Sequence, residues 1–338
     1  MPVSRDEIVY GYRFILGRDP ESETAISVHL GLDDVATLRR NLMASMEFRE
    51  RHPLDAGLRY EAEADLERPA VVFLHVPKCA GTSLHMALTA HLEATACPER
   101  HNGLADWPAG ALARYRFFSG HFDFPSLGLI PGRNVSIVTM LRRPADRLIS
   151  LYRFLRAHRP EAVALEAGQD MGLIALARSE DPAAFFSHEM LQLHPAINNA
   201  AVRQLSGALP QKRWDAVHPG SVYGAALADR APELALATAQ ANLMNMAAFG
   251  LVEHMSASVA HIFAALGLAA PGDIGHFQQT DRMAQEHPAL EPVAPVTPDP
   301  ALADALAPHI ALDDRLYATA AAVFSARQAA AAQGEEPA

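Results

Sequence analysis

The run Val71 to Ser83, VVFLHVPKCAGTS, gathers an ammonium at Lys78, a thiol at Cys79, a small Ala80-Gly81 pair and two hydroxyls at Thr82 and Ser83. These residue types do anion chemistry when backbone N–H groups converge with them. The ammonium adds a mobile point charge, the hydroxyls add donors, and glycine lets the main chain approach a ligand closely. The elements that would position them lie on either side. Val71 to Val76 has the length and β-branching of a buried parallel strand, and Thr82 and Ser83 open an apolar helix. An anion at that helix start gains about 0.3–1 kcal/mol from the helix dipole when exposed, and more when buried.

A second β-rich run, Val135 to Met140, leads into MLRRPADRLISLYRFL. Pro144 suits the first helical position, so Arg142 lies just before the helix and Ser150 almost two turns into it. Arg147 and Ser150 share a face at i, i+3 spacing, while Leu148, Leu151, Tyr152 and Leu155 form a buried stripe. The planar fork of arginine makes bidentate bonds to phosphate. The alternative is a basic amphipathic helix with solvated arginines. Between these segments, Tyr115 to Phe124, YRFFSGHFDF, reads as a short strand ending at Ser119-Gly120 and followed by His121. A histidine there can act as a general base near neutral pH, with Asp123 two residues on to orient it. His75, at the end of the first strand, reads as a packed, hydrogen-bonded strand histidine.

The nucleotide-binding pattern GxxxxGK[ST] is absent, because Lys78 precedes Gly81 by three residues instead of following it. The order HVPKCAGTS resembles the 5′-phosphosulfate loop of sulfotransferases that use 3′-phosphoadenosine 5′-phosphosulfate (PAPS), of the bacterial sulfotransferase family 2 type related to heparan sulfate 2-O-sulfotransferase. Cys79 stands where such loops often carry Thr. That replacement argues against a Cys79 nucleophile, although a helix N-terminus and a lysine would favour its thiolate. The segment around Arg142 and Ser150 resembles the family's LR-x-P-x-x-R-x-x-S-x-Y, whose first Arg and Ser bind the donor 3′-phosphate. His121 matches the G-H element that carries the proposed base. Ile197 to Gly207, INNAAVRQLSG, resembles N-x-x-x-R-x-L-x-G. By that resemblance Asn198, Asn199 and Arg203 reach donor or acceptor; equally, an Asn caps a helix, Arg203 is solvated and Gly207 ends it. Ala247 to Val252 reads as a further strand, with Ser256 capping an apolar helix.

The resemblance implies a three-layer α/β, P-loop-like domain with a mainly parallel central sheet, preceded by a small α-helical domain. The implied donor site is Lys78, Cys79, Ala80, Gly81, Thr82, Ser83, Arg142, Ser150 and Arg203, with Lys78 and His121 catalytic and no metal. The implied acceptor is a hydroxyl of a carbohydrate or glycoconjugate. A nucleotide-dependent kinase and a noncatalytic scaffold for polysaccharide assembly are the alternatives.

Composition bounds these readings. The chain has 338 residues, half of them apolar, enough for one large core and a small extra domain. A formal charge of −11 argues against nonspecific nucleic-acid binding. Positive charge is local instead: Arg142, Arg143, Arg147, Arg153, Arg156 and Arg159 form a pattern expected of a site for one anionic ligand. Apolar stretches are interrupted before a membrane span accumulates, and MPVSRDEIVY lacks a signal-peptide core, so a cytoplasmic protein is expected. The two cysteines, Cys79 and Cys97, are too few for a disulfide framework. His188-Glu189 followed by His194 misses metal-site spacing.

Residues 1–52 read as a small helical module, with apolar spacing at Ile8, Tyr12 and Ile15, a Gly-Arg-Asp-Pro break, and a second helix through Leu38, Leu42 and Phe48. YRFILGRDP with SMEF resembles a module found beside bacterial surface-polysaccharide enzymes, which implies a protein partner. The alternative is a helical extension of the main domain. Residues 53–69 read as a linker, 70–328 as the α/β domain and 329–338 as a frayed tail. Pro160 to Pro195 stands where relatives place acceptor elements or a lid. Pro271 to Pro300 reads as a loop crossing, with His276 and Gln279 as candidate contacts. The closing helix, Leu302 to Arg327, is expected to break near Pro308.

Overall fold

The structure, a computed structural model, describes residues 2–32, 34–45, 47–48, 69–92, 104, 112–113, 115–130, 134–159, 171–207, 227–272 and 289–333. Cys97, His276, Gln279, most of residues 53–69 and residues 160–170 and 334–338 fall outside that description. The chain divides into two compact units, one of Met1–Glu67 with Ala105–Arg114 and Leu129–Gly132, the other of the remainder.

The first unit is built from short helices around its own apolar cluster. α1 (Arg5–Gly11) starts at a reciprocal cap, Ser4 with Glu7, and passes into a π-helical turn at Tyr12–Leu16. Gly17, at φ +66°, ends that turn in a conformation that suits glycine. α2 (Glu23–Ser27) and α3 (Val35–Ala44) begin at the caps Ser22 and Asp34. Ile8, Tyr12 and Leu16 bury against Leu38, Leu42 and Phe48. The Gly-Arg-Asp-Pro segment has a packing role here. Arg18 forks onto both carboxylate oxygens of Glu47, at 2.5 and 2.6 Å, and lies over the Tyr12 ring.

The second unit is α/β. Strands β1 (Ala70–Leu74), β2 (Phe117–Gly120), β3 (Val135–Leu141) and β4 (Ala248–Leu251) form a four-stranded, all-parallel sheet in the order β2-β1-β3-β4. β1 is apolar throughout and almost wholly buried, as a parallel strand covered on both faces requires. The chain steps from β1 to β2 on one side and then to β3 on the other, so the direction of winding switches between β1 and β3. Crevices at such switch points, beyond the strand C-termini, are where open α/β sheets bind ligands.

The helices of this unit are α4 (Gly81–Leu92), α5 (Pro144–Arg156), α6 (Met171–Ser179), α7 (Pro182–Ser187), α8 (Ala200–Ser206), α9 (Leu227–Arg230), α10 (Pro232–Met244), α11 (Met255–Ala265) and α12 (Pro300–Gln333). The stripe Leu148, Leu151, Tyr152 and Leu155 is buried, packed with Phe185, Phe186 and Leu306 from α7 and α12. Two expectations are corrected. α11 is capped at His254, not Ser256. α12 continues through Pro308 and runs to Gln333, past the expected fraying point. Just past the proline, Asn199 is set into the ladder. Its Oδ1 accepts the N–H groups of Leu312 (2.8 Å) and Asp313 (3.3 Å), and its own N–H bonds the His309 carbonyl. A side chain set into the ladder satisfies the groups that a helix break would have exposed.

Candidate functional site

At the end of β1 the chain turns through Pro77 to Ala80 and enters α4. Lys78 and Ala80 hold positive φ, +66° and +55°, while Cys79 and Gly81 do not. Alternating signs of φ are the backbone pattern of an anion nest, with the Cys79 N–H bonded to the Val76 carbonyl at 3.2 Å. For residues with a Cβ it is strained, at about 1–3 kcal/mol each, so the surrounding packing must enforce it. Part of that packing is visible at Gly81, where an added Cβ would lie 1.7 Å from His75 Nε2. Gly81 therefore makes room for the His75 ring, a reason different from the ligand approach read in the sequence. Thr82 is half-buried and Ser83 buried, both in the first turn of α4.

Lys78 is half-buried, with its ammonium 4.1 Å from the centre of the Phe154 ring on α5. Burial, and next the positive charge of Arg142, lower its pKa to about 8. Arg142, just past β3, donates through Nη1 to the Lys78 carbonyl at 3.3 Å. The two cations thus meet at the β1/β3 switch, where Thr139 also bonds the Leu74 carbonyl across the strands at 2.7 Å. Ser150 lies four residues before Phe154 on α5, on the face that Lys78 reaches, and is half-buried. Cys79 points the other way. It is buried in a small cavity that Arg142, Arg147, Asp313 and Tyr317 also line, and burial pushes its thiol up to about 12, which disfavours the thiolate.

His121 follows β2 directly. Its Nδ1 lies 2.8 Å from the His75 carbonyl oxygen, which can only accept, so Nδ1 carries the hydrogen and, in the neutral ring, Nε2 carries the lone pair. The His75 ring stacks on His121 at 4.3 Å and on Phe73 at 5.3 Å. Asp123 is buried and accepts the backbone N–H and the hydroxyl of Ser126. The contact that fixes the His121 ring nitrogen is thus the His75 carbonyl.

The other sequence candidates do structural work. Arg203 is buried and donates to the Asn198 carbonyl (2.6 Å), to Asn198 Oδ1 (2.9 Å) and to both carboxylate oxygens of Asp229. It is not the solvated arginine of the capped-helix reading, and its donors are committed to protein. Asn199 precedes α8 at φ +46° but does not cap it. Asp313 of α12 does, accepting from Ala201 and Val202, while Gly207 at φ +86° ends the helix. The arginine run is corrected too. Arg147 is buried, bonded to the carbonyls of Ala196 and Ile197, and 3.9 Å from Asp313. Arg153 reaches the Val293 carbonyl, Arg159 the Leu290 carbonyl, and Arg156 the carbonyls of Ala177, Arg178 and Glu180. Four of the six arginines are bonded to carbonyls of neighbouring segments, the end of α6 among them, and do not form one anion site.

Three contributors escaped the sequence reading. Phe154 carries the Lys78 ammonium, and Glu253 accepts the Arg143 N–H (2.8 Å) and the Tyr317 hydroxyl (2.8 Å), tying the start of α5 to α12. That carboxylate, after burial, raises the Tyr317 pKa. The third, Gln204, stands beside Arg203 with no periodicity or motif to mark it. Among the described residues no cluster of His, Cys, Asp or Glu could hold a metal, and no helix is long and apolar enough to cross a membrane. No family model matches the chain, and no curated protein matches it.

Proposed function

We propose that the protein transfers the sulfuryl group of PAPS to a hydroxyl of a carbohydrate or glycoconjugate by in-line displacement. The observation that carries this reading is the meeting of a strained nest, Lys78 and Arg142 at the β1/β3 switch, with a histidine of defined tautomer on the next strand. Loop N–H groups and Thr82 hold the 5′-phosphosulfate. Lys78 leaves Phe154 and neutralises the charge that grows on the bridging oxygen as the S–O bond breaks. Arg142 and Ser150 take the 3′-phosphate, and His121 Nε2 accepts the acceptor's hydroxyl proton as the new O–S bond forms. Catalysis then rests on positioning and charge stabilisation.

Calorimetric titration with adenosine 3′,5′-bisphosphate against ADP and ATP tests the donor assignment. The bisphosphate should bind at least tenfold tighter than ADP, about 1.4 kcal/mol, and Arg142→Ala should abolish that margin. Equal or tighter binding of ATP overturns it in favour of a nucleotide-dependent kinase.

A further inference from the structure

We infer that Gln204 is a positioning residue for His121, fixing the carbonyl that selects its tautomer. The inference rests on the proposed role of His121 as base. Gln204 is 1% exposed, and its Nε2 lies 3.1 Å from the His75 carbonyl oxygen and 3.0 Å from that of Phe122. Both neighbours are acceptors, so the amide must present its NH2 to them. The His75 carbonyl therefore receives two donors, Gln204 Nε2–H and His121 Nδ1–H. The second amide hydrogen holds the residue that follows His121. One side chain bridges the ends of β1 and β2 on both sides of the imidazole.

The platform beneath Gln204 is fixed at each end. Asp313 caps the start of α8, Asn242 Nδ2 bonds the Leu205 carbonyl at 2.7 Å, and the Gln204 carbonyl accepts the Phe124 N–H at 2.9 Å. A carbonyl held by a second donor from a rigid helix cannot rotate away from the imidazole, so Nδ1 keeps its hydrogen and Nε2 its lone pair. Without Gln204, two buried carbonyls lose a donor and the His75 peptide is released to turn toward another partner.

The test uses the full chain with nitrogen-15-labelled histidine, under alkaline conditions where the rings are neutral. The His121 resonances, assigned by their loss in His121→Asn, should report the Nδ1–H tautomer alone. Gln204→Met should convert them to a mixture, lower kcat for sulfuryl transfer about 10- to 100-fold and leave the donor KM within about twofold. A pure Nδ1–H tautomer in folded Gln204→Met, or an Nε2–H tautomer in the wild-type chain, overturns the inference. If Gln204→Met does not fold, Gln204→Asn, one methylene too short for both carbonyls, is read by the same criterion. The tautomer is read without turnover, so a wild-type chain that transfers no sulfuryl group counts against the proposed function alone.

Discussion

Arg142 and Arg147 stand on successive parts of one segment, yet they meet different surroundings. At the end of β3, Arg142 makes a single hydrogen bond among the described residues, to the Lys78 carbonyl, and keeps most of its five donors for something else. Further along α5, Arg147 is 1% exposed, fills two carbonyls and faces a carboxylate that is equally buried. Arg153, Arg156 and Arg159 follow the second pattern: Arg153 and Arg159 bond carbonyls of irregular segments, and Arg156 bonds those at the end of α6. The difference teaches that a density of positive charge says little about ligand binding until each guanidinium's acceptors are known. An arginine whose donors are filled by backbone is a staple. One left at a strand end beside a nest and another cation is poised for an anion.

The largest expected effect would break this contrast if it failed to appear. Arg147→Met leaves Asp313 buried without its charge partner and two carbonyls unfilled, and should destabilise the protein by about 3–5 kcal/mol in urea unfolding. Burial already raises the Asp313 pKa despite Arg147 and the α8 N–H groups, so the carboxylate has little reserve. Arg142→Ala should leave the unfolding midpoint within about 0.5 kcal/mol of wild type, as substitutions away from buried networks do. Equal destabilisation by both would mean that the two arginines belong to one structural network.

The next effect concerns how the binding end is itself supported. Gly81→Ala drives a methyl into the His75 ring, so either the loop or the ring must shift. The expected cost is about 1–3 kcal/mol. Joining it with His75→Ala should recover most of that loss, because the second change removes the obstruction, and a double-mutant cycle measures the coupling. Independent, additive losses would show that the loop is not held by this contact.

How far the sequence foretold all this can be followed residue by residue. The four strands were legible, β1 and β3 as apolar, β-branched runs, β2 as an aromatic run and β4 as a short apolar run, and their ends moved by only a residue or two. Lys78, His121 and Arg142 were singled out by the resemblance of their segments to sulfotransferase motifs, and each follows a strand, where an open α/β sheet places its ligands. Partners distant along the chain were not legible. Asp313 caps α8 while Asn199 enters the ladder of α12, across more than a hundred positions, and no local pattern announces that trade. Arg203 and Arg147 were misread for the same reason, since their acceptors are carbonyls and a carboxylate brought in by other elements. Gly81 was read for the approach of a ligand, and the neighbour that the structure shows at its Cα is the His75 ring.

A smaller effect sharpens the picture at Lys78. In the ligand-free chain its pKa is lowered to about 8, by burial first and Arg142 second. A bisphosphate beside it favours the charged form and raises that value. Below about 8 the ammonium is already charged and its contribution to affinity is constant. Above that point each binding event must take up a proton, so the bisphosphate association constant should fall as pH rises, by up to about tenfold per pH unit. Calorimetry across this range should find the slope in the wild type and lose it in Lys78→Met, whose affinity is lower throughout. A wild-type slope that survives in Lys78→Met would assign the titration to another group.

The smallest effect supplies a third kind of arginine. Arg315 on α12 forks onto Glu233 of α10 at 2.7 and 2.9 Å, as well formed a pair as any in the molecule, but its side chain is 52% exposed and that of Glu233 is 74% exposed. Water solvates both groups as readily when they part, and salt screens what attraction remains. Arg315→Ala should therefore leave the urea midpoint and bisphosphate affinity unchanged at physiological ionic strength. A measurable loss there would mean that bonding geometry alone, without burial, decides which arginines matter, and the distinction between Arg142 and Arg147 would have to be redrawn on that basis.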